Sequence, residues 1–294
     1  MKYRTDLAIE KKEMLEEDPK GEELEGVVIK KTDYGEDVRA IRIDITDEKG
    51  RLKMEKPVGS YITIEAEGIL EEKEGVKEKA EKAVAEELKG LITFHSRLKV
   101  LIAGLGNRMV TPDALGPRAA SKVRVTRHLF VMFEADRDEE MSNVSCIVPG
   151  VTATTGMETA EIIKKAVEIS GAELVIAIDS LAARNIDRVS TTIQITDTGI
   201  SPGGGMGNAR KGINTETTGV KVVAIGVPTV IDASTIIRDA LEDRVKDAED
   251  IEAYIQEHDT QMIVTSTDID MIIKDFSDII AGGINKTLHP GIYS

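Results

Sequence analysis

The sequence has few cysteines and aromatic residues and no long uncharged apolar run. Its 294 residues include one cysteine, Cys146, and no tryptophan, and aromatic residues make up 3% of the chain. A single cysteine excludes a disulfide within the chain. Because no 18 uncharged apolar residues run together and the N-terminus has no apolar stretch typical of a signal peptide, the sequence predicts no membrane partner. We therefore expect a cytoplasmic protein.

Positive charge and recognisable metal-binding patterns are also scarce. Lysine and arginine total 38 against 53 aspartates and glutamates, which gives a formal net charge of −15. Such a charge repels nucleic acid unless a local patch overrides it, so no direct nucleic-acid partner is predicted. The four histidines never fall at His-Glu-x-x-His spacing, and Cys146 has no cysteine partner for a zinc site. The sequence predicts no metal site and no cofactor.

Hydrophobic residues make up 41% of the chain, which is typical of a globular protein. From Leu98 onward, strand-like and helix-like segments alternate, a pattern that favours a mostly parallel sheet covered by helices on both faces. The sequence therefore predicts the α/β class. The strands are expected at 98–104, 144–149, 173–179, 190–196, 221–227 and 261–265, and the helices at 113–124, 156–170, 233–247 and 267–281.

The region before Leu98 has a different composition. Residues 1–25 are rich in charge, and we expect them to form a solvated or mobile end. Three strand-like runs at 26–31, 38–45 and 60–66 predict a small β-rich subdomain at about 26–70, and residues 71–89 predict an amphipathic helix. Residues 26–294 are then one α/β domain.

Two aspartates follow apolar runs that read as buried strands. The run at 100–103 leads into Gly104, Gly106 and Asn107, and Asp113 comes shortly after this turn. A second run at 174–178 leads directly into Asp179. In an open parallel sheet, ligands bind in the crevice beyond the carboxyl ends of the strands. One such aspartate is more often a helix cap, but two of them indicate a shared site.

A pair of close carboxylates is suited to two kinds of chemistry. One carboxyl holds a proton while the other is ionised, so the pair can activate water and protonate a leaving group, as amide hydrolysis requires. Alternatively, two carboxylates can hold a hard cation or zinc. The residues alone leave both uses open.

Other motifs are weaker. Asp197-Thr198-Gly199 matches the tripeptide of pepsin-like and retroviral aspartic proteases, but those all-β enzymes need two such loops and this chain has one. The turn at 104–109 lacks the third glycine of the dinucleotide fingerprint. Residues 202–208 are rich in glycine, and a mobile surface loop and a lid over the strand ends are equally plausible interpretations.

Long blocks of the sequence resemble the germination protease family of spore-forming bacteria. The resemblance covers most of the chain and is densest from Gly104 to Thr235. The blocks are RTDLAIE, GLGNRMVTPDALGP, VTRHLF, IVPGVTATTGMET, LVIAIDSLAARNIDRVSTTIQITDTGISPGGGMGN, VVAIGVPTVIDAST and IAGGINKTLH.

The resemblance implies a phosphorylase/hydrolase-like α/β fold and an atypical aspartic endopeptidase. Such enzymes are made as zymogens, act in the spore core and form homo-oligomers, a tetramer by family resemblance. They degrade small acid-soluble spore proteins during germination. Their two proposed catalytic aspartates fall here on Asp113 and Asp179. The family fold also resembles hydrogenase maturation endopeptidases, whose equivalent acids bind nickel, so a metal-dependent maturation peptidase is the alternative function.

Family substrates are cut after an acid and before a hydrophobic residue followed by alanine. Asp6-Leu7-Ala8 fits this rule, so the resemblance predicts self-cleavage between Asp6 and Leu7 and a short propeptide at 1–6. Backbone amides near Gly104, Gly106 and Asn107 are predicted to support the oxyanion. The predicted substrate-binding cations are Arg184, Arg188, Arg210 and Lys211.

Two further points qualify the resemblance. Ser180 stands where the family usually has alanine after the second aspartate. A protein that merely holds acidic peptides in the crevice, without hydrolysis, is the non-enzymatic alternative.

Overall fold

One mixed β-sheet runs through the described part of the chain, with strand order β1-β2-β3-β7-β8-β6-β4-β5 and β9 beside β8. The structure is a computed structural model, and it describes residues 7–16, 25–95, 97–133, 140–203, 210–242 and 262–293. The strands are β1 (Val27–Asp33), β2 (Arg39–Ile45), β3 (Gly59–Glu65), β4 (Lys99–Gly104), β5 (Asn143–Ile147), β6 (Leu174–Ala183), β7 (Thr192–Thr196), β8 (Lys221–Asp232) and β9 (Ile263–Val264).

The predicted α/β class is confirmed. Strands β8, β6, β4 and β5 are parallel neighbours, and the three central ones, β8, β6 and β4, contain the continuous apolar runs that a strand covered on both faces requires. The remaining pairs are antiparallel, including β3 with β7 and β7 with β8. The β-rich segment at 26–70 is therefore an extension of the main sheet, which it joins through β3.

Helices cover both faces of this sheet. They are α1 (Ala8–Glu16), α2 (Glu48–Met54), α3 (Val76–Leu91), α4 (Leu115–Ala120), α5 (Arg127–Met132), α6 (Thr152–Thr155), α7 (Thr159–Ser170), α8 (Thr215–Thr218), α9 (Ala233–Glu242) and α10 (Ile269–Leu288). None of the helices in the described ranges is long and apolar enough to cross a membrane. Short 3₁₀ turns lie at Glu67–Ile69, Thr111–Asp113 and Ile186–Arg188.

The two faces of the parallel strands bury separate apolar clusters. Helices α3, α4 and α10 pack on one face, where Val84 and Phe276 lie in the same cluster as Ile176 of β6. Helix α7 packs on the other face through Ile163 and Val167. The amphipathic pattern predicted for residues 71–89 corresponds to α3, whose apolar side chains face this first cluster.

The structure differs from the predicted elements mainly in the length of two strands. Strands β6 and β8 continue to Ala183 and Asp232, beyond their predicted ends at 179 and 227. Both strands extend this far because they remain hydrogen-bonded to each other beyond the end of β4. The register of their pairing shifts after Leu181. The short helices α2, α5, α6 and α8 were not predicted. The helix predicted at 113–124 is a 3₁₀ turn followed by the six residues of α4.

The N-terminal segment is partly ordered, in contrast to the predicted solvated end. Residues 8–16 form α1, and Leu7, Ala8, Ile9 and Glu10 are buried. Leu7 and Ile9 pack in a third apolar cluster with residues of β2, β3 and the end of β6. Apolar packing of this first turn outweighs the charge of the segment.

Candidate active site

Asp113 is held by a tight turn between β4 and α4. The N–H of Asn107 donates both to the carbonyl oxygen of Asp113, at 3.0 Å, and to its Oδ2, at 2.8 Å. Gly106 has a φ of 102°, and a Cβ there would lie 2.2 Å from the carbonyl oxygen of Asp113. Only glycine combines this backbone angle with so close an approach. The Gly-x-Gly-Asn turn therefore fixes the position of Asp113.

Two further contacts set this turn against the sheet. The hydroxyl of Thr229, which is fully buried in β8, donates to the carbonyl oxygen of Pro112 at 2.7 Å. A Cβ on Gly116 would lie 2.3 Å from the carbonyl oxygens of both Leu105 and Ile178. Because Gly116 lacks a side chain, α4 packs directly on the backbone just after β4 and in the middle of β6. The turn that carries Asp113 is thereby brought over the strand that carries Asp179.

Asp179 lies within β6 rather than after it. Gly104, the last residue of β4, pairs with Ile178, so Asp179 is one residue beyond the end of the neighbouring strand. On its other side Asp179 pairs with Gly226 of β8. Its side chain is 4% exposed, and its Oδ1 accepts a hydrogen bond from the N–H of Ser180 at 2.9 Å. The end of β4 opens the space that this carboxylate faces.

Asp113 and Asp179 line the same cavity. Its volume is about 270 Å³, and Gly106, Ser180 and Arg210 also line it. The site thus combines two carboxyl groups, one cation and an opening to solvent at the carboxyl end of the parallel strands, where α/β proteins bind their ligands. The hydroxyl oxygen of Ser180 is buried and has no hydrogen-bond partner among the described residues.

The environment of Asp113 favours its protonated form. Burial raises the pKa of this carboxyl above its ordinary value, while the N–H of Asn107 and the positive charge of Arg210 act in the opposite direction. A carboxyl group with a raised pKa keeps its proton at a higher pH than an exposed aspartate. Burial therefore favours a proton on Asp113 in this cavity.

The four predicted substrate-binding cations are not brought together. Arg210 lines the cavity. Lys211 is exposed, and its Nζ lies 4.0 Å from Oε1 of Glu161. Arg184 forms an ion pair with Asp239 at 3.3 Å. Arg188 bridges Glu13 and Glu65 at 2.5 and 3.1 Å. Among the four, Arg210 is in place for a ligand of this cavity, and substrate binding by the other three stays a prediction.

Gly104, Gly106 and Asn107, which were predicted to support an oxyanion, lie close to the site. Their contacts in the structure are mainly with Asp113 and α4. The N–H of Asn107 is engaged by Asp113, as described above. Gly104 is buried, and a Cβ there would lie 2.5 Å from the carbonyl oxygen of Gly116, so its role is to let α4 approach. Gly106 lines the cavity. In this arrangement the turn orients Asp113, and support of an oxyanion stays a prediction.

Thr229 and Ser180 are site residues to which the sequence analysis assigned no role. The signal for Thr229 was a hydroxyl inside the apolar run of β8, and for Ser180 the departure from alanine. Pro202 and Gly203 of the glycine-rich stretch line the cavity, and residues 204–208 lie outside the described residues, so the lid prediction stays open. For the predicted cleavage site, Leu7 is fully buried, and Asp6 lies outside the described residues.

No metal-binding group accompanies the two aspartates in the described ranges. Nowhere in these ranges do three or more histidine, cysteine, aspartate or glutamate side chains lie close enough together to hold an ion. We therefore assign no metal ligands.

One protein-family model and several individual proteins match most of this chain. The family model described as germination protease matches residues 5–249 of the chain. The germination protease of Caldanaerobacter subterraneus subsp. tengcongensis is 42% identical, covering 98% of this chain and 95% of its own length. Those of Clostridium perfringens strain 13 and Bacillus subtilis strain 168 are 39% and 36% identical, covering 98% and 97% of this chain and 96% and 93% of their own lengths.

Among solved structures, the crystal structure of a [NiFe] hydrogenase maturation protease HycI from Thermococcus kodakarensis KOD1 matches with a TM-score of 0.37 and 14% sequence identity. The match covers 67% of this chain and 98% of the other.

Proposed function

This chain belongs to the germination protease family, and from this membership we propose that it is an aspartic-type endopeptidase in which Asp113 and Asp179 activate water. Its substrates are small acid-soluble spore proteins, cut after an acidic residue during germination in the spore core. The chain is a zymogen that removes its own residues 1–6, and it assembles as a homo-oligomer, a tetramer by family resemblance. The single observation that carries the proposal is that both carboxyl groups line one cavity at the strand ends.

The proposed reaction needs one protonated and one ionised carboxyl. Asp179 accepts a proton from water while the water oxygen adds to the scissile carbonyl carbon, and Asp113 donates its proton to the carbonyl oxygen. When the C–N bond breaks, Asp179 gives its proton to the leaving nitrogen, and one hydroxyl of the tetrahedral intermediate returns its proton to Asp113 as the carbonyl re-forms. The charge of Arg210 beside this pair suits an acidic residue of the substrate next to the scissile bond.

Replacement of either aspartate by asparagine tests this mechanism. An asparagine side chain can neither exchange the proton nor accept one from water, so we expect Asp113→Asn and Asp179→Asn each to reduce hydrolysis of an acidic-residue-containing peptide about 10²- to 10⁴-fold. Turnover is measured by mass spectrometry, and folding by circular dichroism and thermal unfolding.

Asp197→Asn is the matched control. Asp197 belongs to the Asp-Thr-Gly tripeptide, and its Oδ1 accepts a hydrogen bond from the N–H of Ser60, a role that asparagine can retain. This variant should keep its activity. Near wild-type turnover in folded Asp113→Asn or Asp179→Asn would remove that residue from the mechanism, and the absence of any hydrolysis by the unmodified, processed protein would favour the peptide-binding alternative.

Chelation separates the aspartic mechanism from a metal-dependent one. The sequence has no histidine or cysteine at recognisable metal-ligand spacing, and the described residues contain no group of three side chains placed to hold an ion. We therefore expect activity to be unchanged after incubation with a strong chelator and dialysis. The measurement is turnover together with elemental analysis of the dialysed protein. Loss of activity that one particular metal restores would instead support the maturation-peptidase mechanism.

A further inference from the structure

A second cavity adjoins the one that holds the two aspartates. Its volume is about 230 Å³, and it lies over β3, β7 and β8. Leu181 and Ser201 line both cavities. The second cavity is therefore an extension of the same cleft, separated from the aspartates by these two residues.

The strand register connects the two cavities. Gly226 of β8 pairs with Asp179 on one side and with Gln194 of β7 on the other. Residues paired in this way project from the same face of a sheet, so Asp179 and Gln194 flank a position that has no side chain. A Cβ on Gly226 would lie 2.5 Å from Cγ of Leu181, which shows that the Leu181 side chain leans into the gap. The Leu181 side chain thus lies between the cavity that contains Asp179 and the adjoining cavity that contains Gln194.

Gln194 has an unsatisfied acceptor in this cavity. The residue is 4% exposed, and its Oε1 is buried without a hydrogen-bond partner in the described structure. An unpaired polar atom at such a position costs free energy, and native proteins retain few of them. A ligand that brings a hydrogen-bond donor would remove this cost.

Several other polar groups of the cavity are engaged within the protein. The hydroxyls of Thr196 and Thr198 hydrogen-bond to each other at 3.0 Å. The side chain of Asn214 caps α8 by accepting from the N–H of Thr217. The hydroxyl of Tyr61 donates to the carbonyl oxygen of Pro57 at 2.9 Å. Among the described residues of this lining, Gln194 is the one whose buried side-chain acceptor has no hydrogen-bond partner.

We propose that this cavity is a substrate subsite for a primary carboxamide, the side chain of an asparagine or glutamine a few residues from the scissile bond. The proposal rests on the proposed function, since it names a feature of the peptide that the cleft hydrolyses. The NH₂ group of the carboxamide donates to Oε1 of Gln194, which lines this cavity and is buried without a partner in the described structure.

Other side chains fit this chemistry less well. A carboxylate has no donor for Oε1, and an apolar side chain leaves this atom unpaired. A cationic side chain would bring a donor, but the described lining of the cavity includes Lys56 and no acidic residue that could balance a second positive charge. The carboxamide is the group that offers a donor and an acceptor without a charge.

Peptide binding tests the subsite independently of turnover. A cleavable peptide is prepared with glutamine, methionine or glutamate at each of the four positions on either side of the scissile bond, and the Kd is measured by fluorescence anisotropy with the Asp113→Asn protein. Methionine matches the length of glutamine without its hydrogen bonds. We expect glutamine to bind about 3- to 10-fold more tightly than methionine at one position, which corresponds to one hydrogen bond.

The Gln194→Met substitution, made in the same background, should abolish this difference while leaving the Kd of the methionine peptide unchanged. Ile195→Val is the control, because Ile195 lies on the same strand but projects from the opposite face of the sheet. It should retain the preference for glutamine. If Gln194→Met does not fold, the comparison of the three peptides with the parent protein still decides the question.

Three results would overturn the subsite: no position prefers glutamine, glutamate binds best at the position that depends on Gln194, or the glutamine preference persists in Gln194→Met. Failure of the proposed function is a different result, namely that the unmodified, processed protein hydrolyses none of the peptides. The Kd comparison remains informative in that case.

Discussion

Asp113 and Asp179 reach one cavity by different local structures. Asp113 lies on a turn fixed by Gly106 and by the N–H of Asn107, whereas Asp179 is part of a buried strand beside Gly226. Only Arg210 among the predicted cations lines this cavity within the described structure. At the scale of single residues, burial raises the pKa of Asp113, while the N–H of Asn107 and the charge of Arg210 lower it.

We expect Arg210→Met to shift the alkaline limb of the kcat/KM profile to higher pH. Burial raises the pKa of Asp113, and the positive charge of Arg210 lowers it by favouring the ionised form. Without that charge the pKa of Asp113 rises further, so Asp113 keeps its catalytic proton to a higher pH. The measurement is kcat/KM from pH 4 to 9 with a single peptide.

Lys211→Met is the matched control for this prediction. Lys211 follows Arg210 directly, but it is exposed and lies 4.0 Å from Glu161. Its replacement should leave the alkaline limb in place. An unchanged limb in Arg210→Met, or a shift toward lower pH, would show that Asp113 is not the group whose deprotonation ends activity.

At the scale of secondary-structure elements, α1 is attached to the end of β6 by a buried carboxylate. Oε2 of Glu10 accepts from the N–H of Arg184 at 2.9 Å, and Oε1 accepts from the N–H of Asn185 at 2.8 Å. Glu10 is 1% exposed. Because β6 carries Asp179, this contact joins the N-terminal segment to the strand of the candidate site.

Glu10→Ala should lower the free energy of unfolding by about 2 kcal/mol, because it leaves two backbone N–H groups without their acceptor. Glu13→Ala is the comparison: Glu13 is half-exposed, and its partner Arg188 keeps its ion pair with Glu65. That variant should lose less than about 1 kcal/mol. Urea unfolding followed by circular dichroism measures both.

Equal losses in the two variants would contradict the inference that Glu10 holds α1 in place. Hydrogen exchange of residues 8–13 provides a second measurement. Protection there should fall in Glu10→Ala and be retained in Glu13→Ala.

At the scale of the whole molecule, the burial of Leu7 bears on the proposed self-cleavage. Leu7 is fully buried among residues of β2, β3 and β6. A protease must hold the residues beside the scissile bond in its own cleft, so Leu7 has to leave this cluster before the Asp6–Leu7 bond is cut. Local undocking of α1 is then a step of processing.

We expect processing of the full-length chain at Asp6–Leu7 to be faster at pH ~5–6 than at pH ~8, since mild acid supplies the singly protonated aspartate pair. Glu10→Ala should accelerate processing at either pH, because it promotes undocking. Leu7→Lys should prevent it by placing a cation where an apolar residue is expected. Intact-mass spectrometry over time gives the rates.

Two outcomes would contradict this scheme. Retention of Met1 at every pH in a sample that digests substrate would exclude the zymogen, and slower processing in folded Glu10→Ala would exclude undocking as a required step.

Much of the fold and the two central residues could be predicted from the sequence. The alternation of apolar runs with helical patterns predicted the α/β class, and the glycines after the first run, together with the aspartate after the second, indicated the two carboxylates. These features are local: a buried strand needs a continuous apolar run, and a tight turn needs glycine. They determine what each segment does before the segments meet.

The tertiary structure decided what depends on register and on distant partners. Asp179, Gly226 and Gln194 lie side by side on three neighbouring strands because β6, β8 and β7 pair in one particular register. The hydrogen bond between Glu10 and Arg184 joins residues 174 positions apart in the sequence. No local pattern contains this information, since a shift of one residue in any pair would turn every side chain of that strand to the other face.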